Sequence, residues 1–95
     1  MSDTPMLRVI AYDIASDRRR RKVAETLEET CVRVQESVFE ARLTHREAER
    51  LMKALEAIVT TEDGLRLYTI PDRALGRCRN RGGPAIADGA RYWLI

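Results

Sequence analysis

Residues 6–14, MLRVIAYDI, form an apolar run that carries one carboxylate almost at its end. Aliphatic and β-branched side chains in an unbroken run are typical of a strand buried on both faces, so we expect a central strand of a sheet. Aspartate is depleted in strands and costly to bury without a partner. Asp13 should therefore lie where this strand leaves the sheet, either as a cap for the following helix or as part of a functional site.

A helix is predicted directly after this strand. Ser16 or Asp17 can cap it, and its apolar spacing continues to about residue 29. Four arginines and one lysine at residues 18–22 lie at its start, where cations interact unfavourably with the helix dipole. This conflict favours an anion-binding role for that end, although side chains that extend into solvent would also tolerate the charge.

The basic residues suggest a class of partner. Of the 17 basic residues 15 are arginine, and the formal net charge is only +2. Four of the arginines lie at residues 18–21, followed by Lys22, and four more lie between residues 73 and 81. The planar guanidinium suits phosphate, which makes a nucleic-acid partner plausible, and solvated charge for solubility explains the composition equally well. The residues that we assign to a nucleic-acid surface are Arg18, Arg19, Arg20, Arg21 and Arg33.

The remaining elements complete a recognisable order. Residues 32–43 alternate but switch parity near residues 36–37, which indicates either a bulge or a reversal; we favour two short strands. Residues 44–60 predict a second helix that begins with a capping box at Thr44 and Glu47. Residues 65–70 predict a strand with Arg66 and Tyr68 on one face, and its leucines and Ile70 on the other. The order β-α-β-β-α-β predicts an α+β, ferredoxin-like fold with an antiparallel sheet.

One domain, residues 1–95, is expected, with a core at about 6–70, a basic connector at 71–90 and a C-terminal strand at 91–95. That strand carries Tyr92, Trp93 and Leu94, and an exposed apolar end is a liability unless it pairs. We therefore expect it to pair with the sheet edge of a partner chain.

The location of the protein is predicted from what the sequence lacks. No apolar run approaches the ~20 residues of a membrane span, and the first residues lack the layout of a signal peptide. We expect a cytoplasmic protein without a membrane partner. Cys31 and Cys78 form no metal-binding pair and should be reduced.

Asp13 is the strongest candidate for chemistry, because no serine or cysteine has a plausible histidine partner by spacing. A single carboxylate is a poor Mg²⁺ site, but a two-fold axis close by would bring a second copy of Asp13. Such a pair could hold a metal ion and activate water for phosphodiester cleavage. Alternatively, Asp13 caps the first helix together with Ser16, and the residue pattern leaves both interpretations open.

Three segments resemble the CRISPR-associated protein 2 family: residues 12–14 (YDI), residues 21–22 (RK) and the string RVQESVFE at 33–40. The similarity runs from residue 6 to about residue 70. It implies a ferredoxin-like homodimer in which the last strand is exchanged between protomers. The family's metal-binding, catalytic aspartate falls on Asp13, and the positions that adjoin it fall on Tyr12, Ser37 and Phe39.

The resemblance also implies a function. Members of this family have been described as endonucleases, dependent on Mg²⁺ or another divalent cation, that cleave RNA or double-stranded DNA. The chain would act in spacer acquisition together with a partner integrase. The alternative within the same family is a non-catalytic dimeric scaffold that binds protospacer DNA in the integrase complex.

Overall fold

A four-stranded antiparallel sheet with two helices packed on one face forms the protein, as seen in a computed structural model that describes residues 3–86. The elements in chain order are β1 Met6–Asp13, α1 Asp17–Glu28, β2 Val32–Gln35, β3 Val38–Leu43, α2 His45–Glu56, β4 Gly64–Ile70 and a 3₁₀ helix at Asp72–Arg77. The sheet order is β2-β3-β1-β4, so β1 is an interior strand as predicted. The predicted ferredoxin-like α+β fold is confirmed.

Part of the sequence-based prediction falls outside residues 3–86. Tyr92, Trp93 and Leu94, which we assigned to an exchanged strand, are among the residues that are not described, so strand exchange stays a prediction. Within the described chain, no helix combines the length and the hydropathy that a membrane crossing requires.

The caps of the two helices resolve one of the alternatives for Asp13. The Ser16 side chain accepts a hydrogen bond from the Arg19 backbone N–H at 3.2 Å and so caps α1. Thr44 and Glu47 form the predicted reciprocal capping box of α2, with hydrogen bonds of 3.1 and 2.9 Å. Among the described residues Asp13 makes no capping hydrogen bond. The interpretation of Asp13 as a helix cap is therefore wrong.

Helix α2 ends at Glu56, four residues earlier than predicted. At the end of the helix, the backbone N–H groups of Ile58 and Val59 both donate to the Leu55 carbonyl oxygen, at 3.0 and 3.1 Å. Residues 58–61 are all β-branched, and β-branched side chains lose rotamer freedom against the preceding helical turn. The apolar spacing alone could not show this boundary.

A reversal and a strand irregularity, the two alternatives predicted for residues 32–43, are both present. Residues 36 and 37 form a turn between β2 and β3, and the pairing of these strands shifts register between Arg33 and Gln35. The change of parity therefore comes from a reversal and an irregularity together. The prediction of two short strands is confirmed.

The two faces of the sheet differ in burial. The face under the helices holds the core, which includes Ile10, Tyr12, Phe39, Ala41 and Leu43, together with Val23, Ala24 and Leu27 of α1 and Ala48 and Leu55 of α2. On the opposite face, which we call the second face, Val9 and Ala11 of β1 are half-buried.

One prediction for β4 is corrected by the sheet register. Ile70 pairs with Leu7, whereas Arg8 pairs with Thr69. Residues two apart on a strand share a face, so Ile70 lies with Arg66 and Tyr68 on the second face and not with the leucines. The prediction that Ile70 shares a face with the leucines is therefore wrong, because hydrophobicity alone does not determine the parity of a residue along a strand.

Arg8 is an unexpected buried charge in the central strand, with 5% of its surface exposed. Its Nε donates to the Leu43 carbonyl oxygen at 3.1 Å, and its Nη1 donates to Thr69 Oγ1 at 2.8 Å. The buried Nη2 has no hydrogen-bond partner in the structure. A buried donor without a partner lowers stability, because its hydration is lost without replacement.

Replacement of Arg8 by methionine is expected to leave the free energy of unfolding unchanged or to raise it by up to about 2 kcal/mol, because apolar residues of similar volume often replace buried ionic groups without loss. Urea unfolding measures the effect. Arg8→Ala is the comparison, and the cavity that it leaves should cost about 2 kcal/mol or more. A loss of more than about 2 kcal/mol in Arg8→Met would mean that the buried charge is stabilising.

Candidate metal and nucleic-acid site

Asp13 is the last residue of β1 and is exposed. It lies opposite Gly64, the first residue of β4. A Cβ atom built on Gly64 would lie 3.5 Å from the Asp13 Cβ, so both positions project to the same face. Because Gly64 carries no side chain, the space beside the carboxylate is open to an ion, water or a phosphate.

The donor set around Asp13 bears on whether a metal ion fits. Within residues 3–86 no group of three or more His, Cys, Asp or Glu side chains could hold a metal ion. Magnesium is commonly bound through one or two carboxylates, with waters and substrate phosphate completing its octahedron. One chain supplies one such carboxylate. The residues present therefore fit Mg²⁺ as half of a site shared between two copies.

Tyr12 fixes the turn between β2 and β3 beside the end of β1. Its backbone N–H donates to the Ser37 carbonyl oxygen at 3.1 Å, and its hydroxyl donates to the Glu36 carbonyl oxygen at 3.4 Å. Burial raises the pKa of the Tyr12 hydroxyl, which keeps it protonated as a donor. Tyr12 and Ser37 thus hold the backbone next to Asp13.

Phe39 lies on the opposite face of the sheet from Asp13 and is completely buried. Its ring centroid is 6.2 Å from that of Tyr12, and the Arg33 guanidinium carbon lies 5.1 Å from the Phe39 ring centroid. The structure therefore places Phe39 in the core, as a support for Tyr12 and Arg33. It does not bring Phe39 onto the face that carries the carboxylate.

Arg19, one of the predicted nucleic-acid residues, connects α1 to the segment before β4 through an ion pair with Asp63. Its Nε and Nη2 donate to the two carboxylate oxygens of Asp63 at 2.9 and 3.1 Å, and Asp63 also accepts from the Thr60 N–H at 2.9 Å. The Arg19 guanidinium is the main reason that the pKa of Asp63 is lowered. Because the pKa of Asp63 is lower in the folded state than in the unfolded state, this ion pair stabilises the fold at pH values above the unfolded-state pKa. The stabilisation is lost as the pH falls through the folded-state pKa of Asp63.

Arg20 is also engaged within the chain. Its Nη1 donates to the carbonyl oxygens of Ile14 and Ala15 at 3.0 and 3.3 Å, and its Nη2 pairs with Asp17. Arg18 and Arg21 are exposed and form no ion pair within the described part of the chain. Of the basic block, these two side chains and the exposed Lys22 are the ones available to an external anion.

A depression between α1 and the β2 end of the sheet brings several predicted residues together. Tyr12, Arg20, Arg21 and Arg33 line it, along with four acids: Asp17, Glu25, Glu28 and Glu36. The Arg33 Nη2 lies 3.8 Å from Glu28 Oε1. Because the acids outnumber the arginines, this depression is a poorer anion site than the exposed surface of α1.

Arg66, which is not among the predicted site residues, lies on the same face as Asp13. Arg66 pairs with Ala11, one step along the sheet from the pairing of Asp13 with Gly64. The alternation of β4 showed which residues share a face with Arg66. It could not show which face of β1 they would join, because that depends on the register between distant strands.

Residues 6–78 match the model of the family described as CRISPR associated protein Cas2. A CRISPR-associated endoribonuclease Cas2 from Thermus thermophilus is 49% identical over 70 residues, covering 73% of this chain and 74% of the relative. A second relative of that name, from a Synechocystis species, is 43% identical over 81 residues, covering 84% of this chain and 88% of the relative.

Solved structures show the same likeness. The crystal structure of Streptococcus pyogenes Cas2 superposes with a TM-score of 0.69 at 28% identity, covering 81% of this chain and all of the other. A chain of a partial Cas6-RT-Cas1–Cas2 complex superposes with a TM-score of 0.72 at 27% identity, covering 87% of this chain and 92% of the other. The chain therefore belongs to the CRISPR associated protein Cas2 family.

Proposed function

We propose that this chain is a metal-dependent endonuclease of CRISPR adaptation that cleaves RNA or double-stranded DNA. The observation that carries the proposal is Asp13, an exposed carboxylate at the end of the central strand that serves neither as a helix cap nor in an ion pair within residues 3–86. Relatives at 43–49% identity bear the name endoribonuclease, which supports a phosphodiester-cleaving activity for this chain.

A homodimer is part of the proposal. On the second face, Val9 and Ala11 are half-buried and Tyr68 is 51% exposed, so residues 3–86 of one protomer leave apolar surface uncovered. A two-fold interface places the same patch of both subunits against each other. Asp13 lies on this face, so a two-fold axis near its end of the sheet brings the two carboxylates together.

In the proposed mechanism, a bound Mg²⁺ would supply Lewis acidity and a water of lowered pKa. The paired Asp13 carboxylates would hold the ion, and Gly64 leaves room for a phosphate beside them. Tyr12, through its hydrogen bonds to Ser37 and Glu36, keeps the end of β1 in place. Arg18 and Arg21 attract the phosphate backbone of the nucleic acid. A partner integrase acts on the cleavage products or on the bound DNA.

Cleavage assays in Mg²⁺ and in EDTA test the proposal. Short single-stranded RNA and duplex DNA are incubated with the purified protein, and products are resolved on denaturing gels. We expect cleavage of at least one substrate in Mg²⁺ and none in EDTA, because a lone carboxylate without the ion cannot lower the pKa of water. Equal cleavage in EDTA would contradict metal dependence.

A non-catalytic scaffold for protospacer DNA is the second candidate function. It is supported by the exposed Arg18, Arg21 and Lys22 and by the likeness to a chain of a Cas1–Cas2 complex. Under this function the protein binds duplex DNA with an affinity that falls with salt, with a log–log slope of about −0.9 per phosphate contact. Binding of that kind without cleavage in any divalent cation would favour the scaffold.

A further inference from the structure

Asp63 lies directly before Gly64, the residue that pairs with Asp13. The Asp63 side chain is only 2% exposed. Its carboxylate accepts hydrogen bonds from Arg19 Nε and Nη2 at 2.9 and 3.1 Å, and from the Thr60 backbone N–H and hydroxyl at 2.9 and 3.3 Å. Both carboxylate oxygens are therefore engaged, and Asp63 is held from two separate parts of the chain.

The contacts of Asp63 also fix the backbone that leads into β4. The Asp63 N–H donates to the Thr60 carbonyl oxygen at 3.0 Å, which closes a turn over residues 60–63. The Asp63 carboxylate returns to the Thr60 N–H, so the turn is closed in both directions. Gly64 follows directly as the first residue of β4. The start of this strand is therefore placed by the turn and by the ion pair with Arg19.

The connection from β1 to α1 is held as well. Ser16 caps α1 by accepting a hydrogen bond from the Arg19 backbone N–H at 3.2 Å. Within the connection itself, Arg20 Nη1 donates to the carbonyl oxygens of Ile14 and Ala15 at 3.0 and 3.3 Å. Arg19 therefore lies at the end of a constrained segment, and its ion pair joins that segment to the start of β4.

These contacts form a closed arrangement around Asp13. On one side the chain runs from Asp13 to Arg19, and on the other side Asp13 pairs with Gly64 across the sheet. The ion pair between Arg19 and Asp63 links the two sides. Two parallel hydrogen bonds between a guanidinium and a carboxylate fix orientation as well as distance. The exposed Asp13 side chain is therefore carried by a backbone that is restrained on both sides.

We propose that Asp63, bound by Arg19, is a positioning residue that fixes the start of β4 against Asp13 and thereby sets the geometry in which the Asp13 carboxylate meets a divalent cation. The inference rests on the proposed function for the metal at Asp13. Asp63 acts through the backbone and needs no exposed surface, so a second protomer can cover the second face. A site shared by two copies requires accurate placement of both carboxylates at once.

Binding of Mn²⁺ to the purified protein, without nucleic acid, tests the inference by electron paramagnetic resonance. We expect Asp63→Asn and Arg19→Gln each to weaken Mn²⁺ binding by about tenfold, the lower end of the usual effect of residues that orient metal ligands. The double variant should bind no more weakly than either single variant, because both changes break the same ion pair. Arg19→Lys keeps the charge but loses the planar fork, so its affinity should be intermediate.

Asp3→Asn is the matched control. The Asp3 carboxylate accepts hydrogen bonds from the backbone N–H groups of His45 and Arg46 at 2.8 and 3.2 Å, at the start of α2. That region lies at the other end of β1 from Asp13, because Met6 pairs with the last residue of β3. The same acid-to-amide change should therefore leave Mn²⁺ binding as in the wild type.

Hydrogen exchange in EDTA provides a readout that needs no metal. Peptides that cover Asp13 and Gly64 should exchange faster in Asp63→Asn than in the wild type, whereas Asp3→Asn should not change them. Circular dichroism and sedimentation velocity verify the fold and the oligomeric state of each variant. If Asp63→Asn does not fold, Arg19→Lys is judged by the same criteria.

Wild-type Mn²⁺ affinity in folded Asp63→Asn would overturn the inference, as would an equal loss of affinity in Asp3→Asn. Mn²⁺ binding that requires Asp13 but ignores Asp63 would uphold the proposed metal site while the inference fails. If the wild type binds no Mn²⁺ and cleaves nothing, the proposed function fails and hydrogen exchange decides the positioning role. Faster exchange at Asp13 and Gly64 would then uphold that role, and unchanged exchange would overturn it.

Discussion

Replacement of Asp13 by asparagine is expected to lower the rate of metal-dependent cleavage by about a hundredfold or more while the fold is kept. The amide has nearly the same shape as the carboxylate, but it lacks the negative charge that, in the proposed mechanism, would hold Mg²⁺. Without the ion, the pKa of the attacking water would not be lowered. Activation of the nucleophile by proton removal contributes on the order of 10²–10⁴ in rate. The loss should therefore appear in kcat at saturating metal.

The stability of Asp13→Asn should be close to that of the wild type. Asp13 is exposed at a strand end, and surface substitutions away from special features change the free energy of unfolding by about 0.5 kcal/mol or less. Glu49→Gln is the matched control, because it makes the same acid-to-amide change on the exposed side of α2. It should leave cleavage, stability and metal binding unchanged.

Metal binding gives a readout that does not depend on activity. Free Mn²⁺, followed by electron paramagnetic resonance, should be depleted by the wild type and by Glu49→Gln but not by Asp13→Asn. Cleavage that survives undiminished in Asp13→Asn would contradict the assignment and point to a contaminating nuclease. Absence of cleavage in all three proteins, with equal binding of duplex DNA, would favour the scaffold function.

The local features of the fold could be predicted because they depend on neighbouring residues. Ser16 caps α1 and Thr44 with Glu47 caps α2 through hydrogen bonds that span three residues. The alternation of apolar residues likewise predicted β3 and β4, and the position of Asp13 at the exposed end of β1 followed from the cost of burying a carboxylate. These parts of the site are visible in the sequence.

Features that depend on distant residues could not be predicted in this way. The Arg19–Asp63 ion pair joins residues 44 positions apart, and it diverts an arginine that the composition had suggested for nucleic acid. The hydrogen bond from Arg8 to Thr69 spans 61 positions, and it accompanies a buried guanidinium inside an apolar run. The register between β1 and β4 also decides which face of the sheet Arg66 and Ile70 occupy. The sequence of one strand carries no information on that register.

The family resemblance indicated candidate site residues but not the faces of the sheet on which they lie. It grouped Tyr12, Ser37 and Phe39 as positions that adjoin Asp13. The structure separates this group: Ser37 contributes a backbone carbonyl near the end of β1, while Phe39 lies in the core beneath the helices. Because Phe39 is fully buried, we expect its substitution to act on stability and not on substrate binding.

Truncation of Phe39 to alanine is expected to lower the free energy of unfolding by about 3–5 kcal/mol, the usual cost of removing a fully buried aromatic ring. Domains of this size are stable by about 5–15 kcal/mol, so the substitution removes a substantial part of the stability, and nearly all of it if the wild type lies at the low end of that range. The ring also supports Tyr12 and Arg33, so its loss should loosen the turn at Glu36. Urea unfolding followed by circular dichroism measures the change.

Phe39→Leu distinguishes a core role from a substrate contact. Leucine keeps most of the apolar volume, so the loss of stability should be about 1.5 kcal/mol or less, and cleavage per folded molecule should stay near the wild-type value. Leu27→Ala is the control, because Leu27 is equally buried on α1 and its truncation should cost about 2–5 kcal/mol without touching the sheet's second face. A stable Phe39→Leu protein that has lost cleavage would contradict the core assignment, because lost packing could not then explain the lost activity.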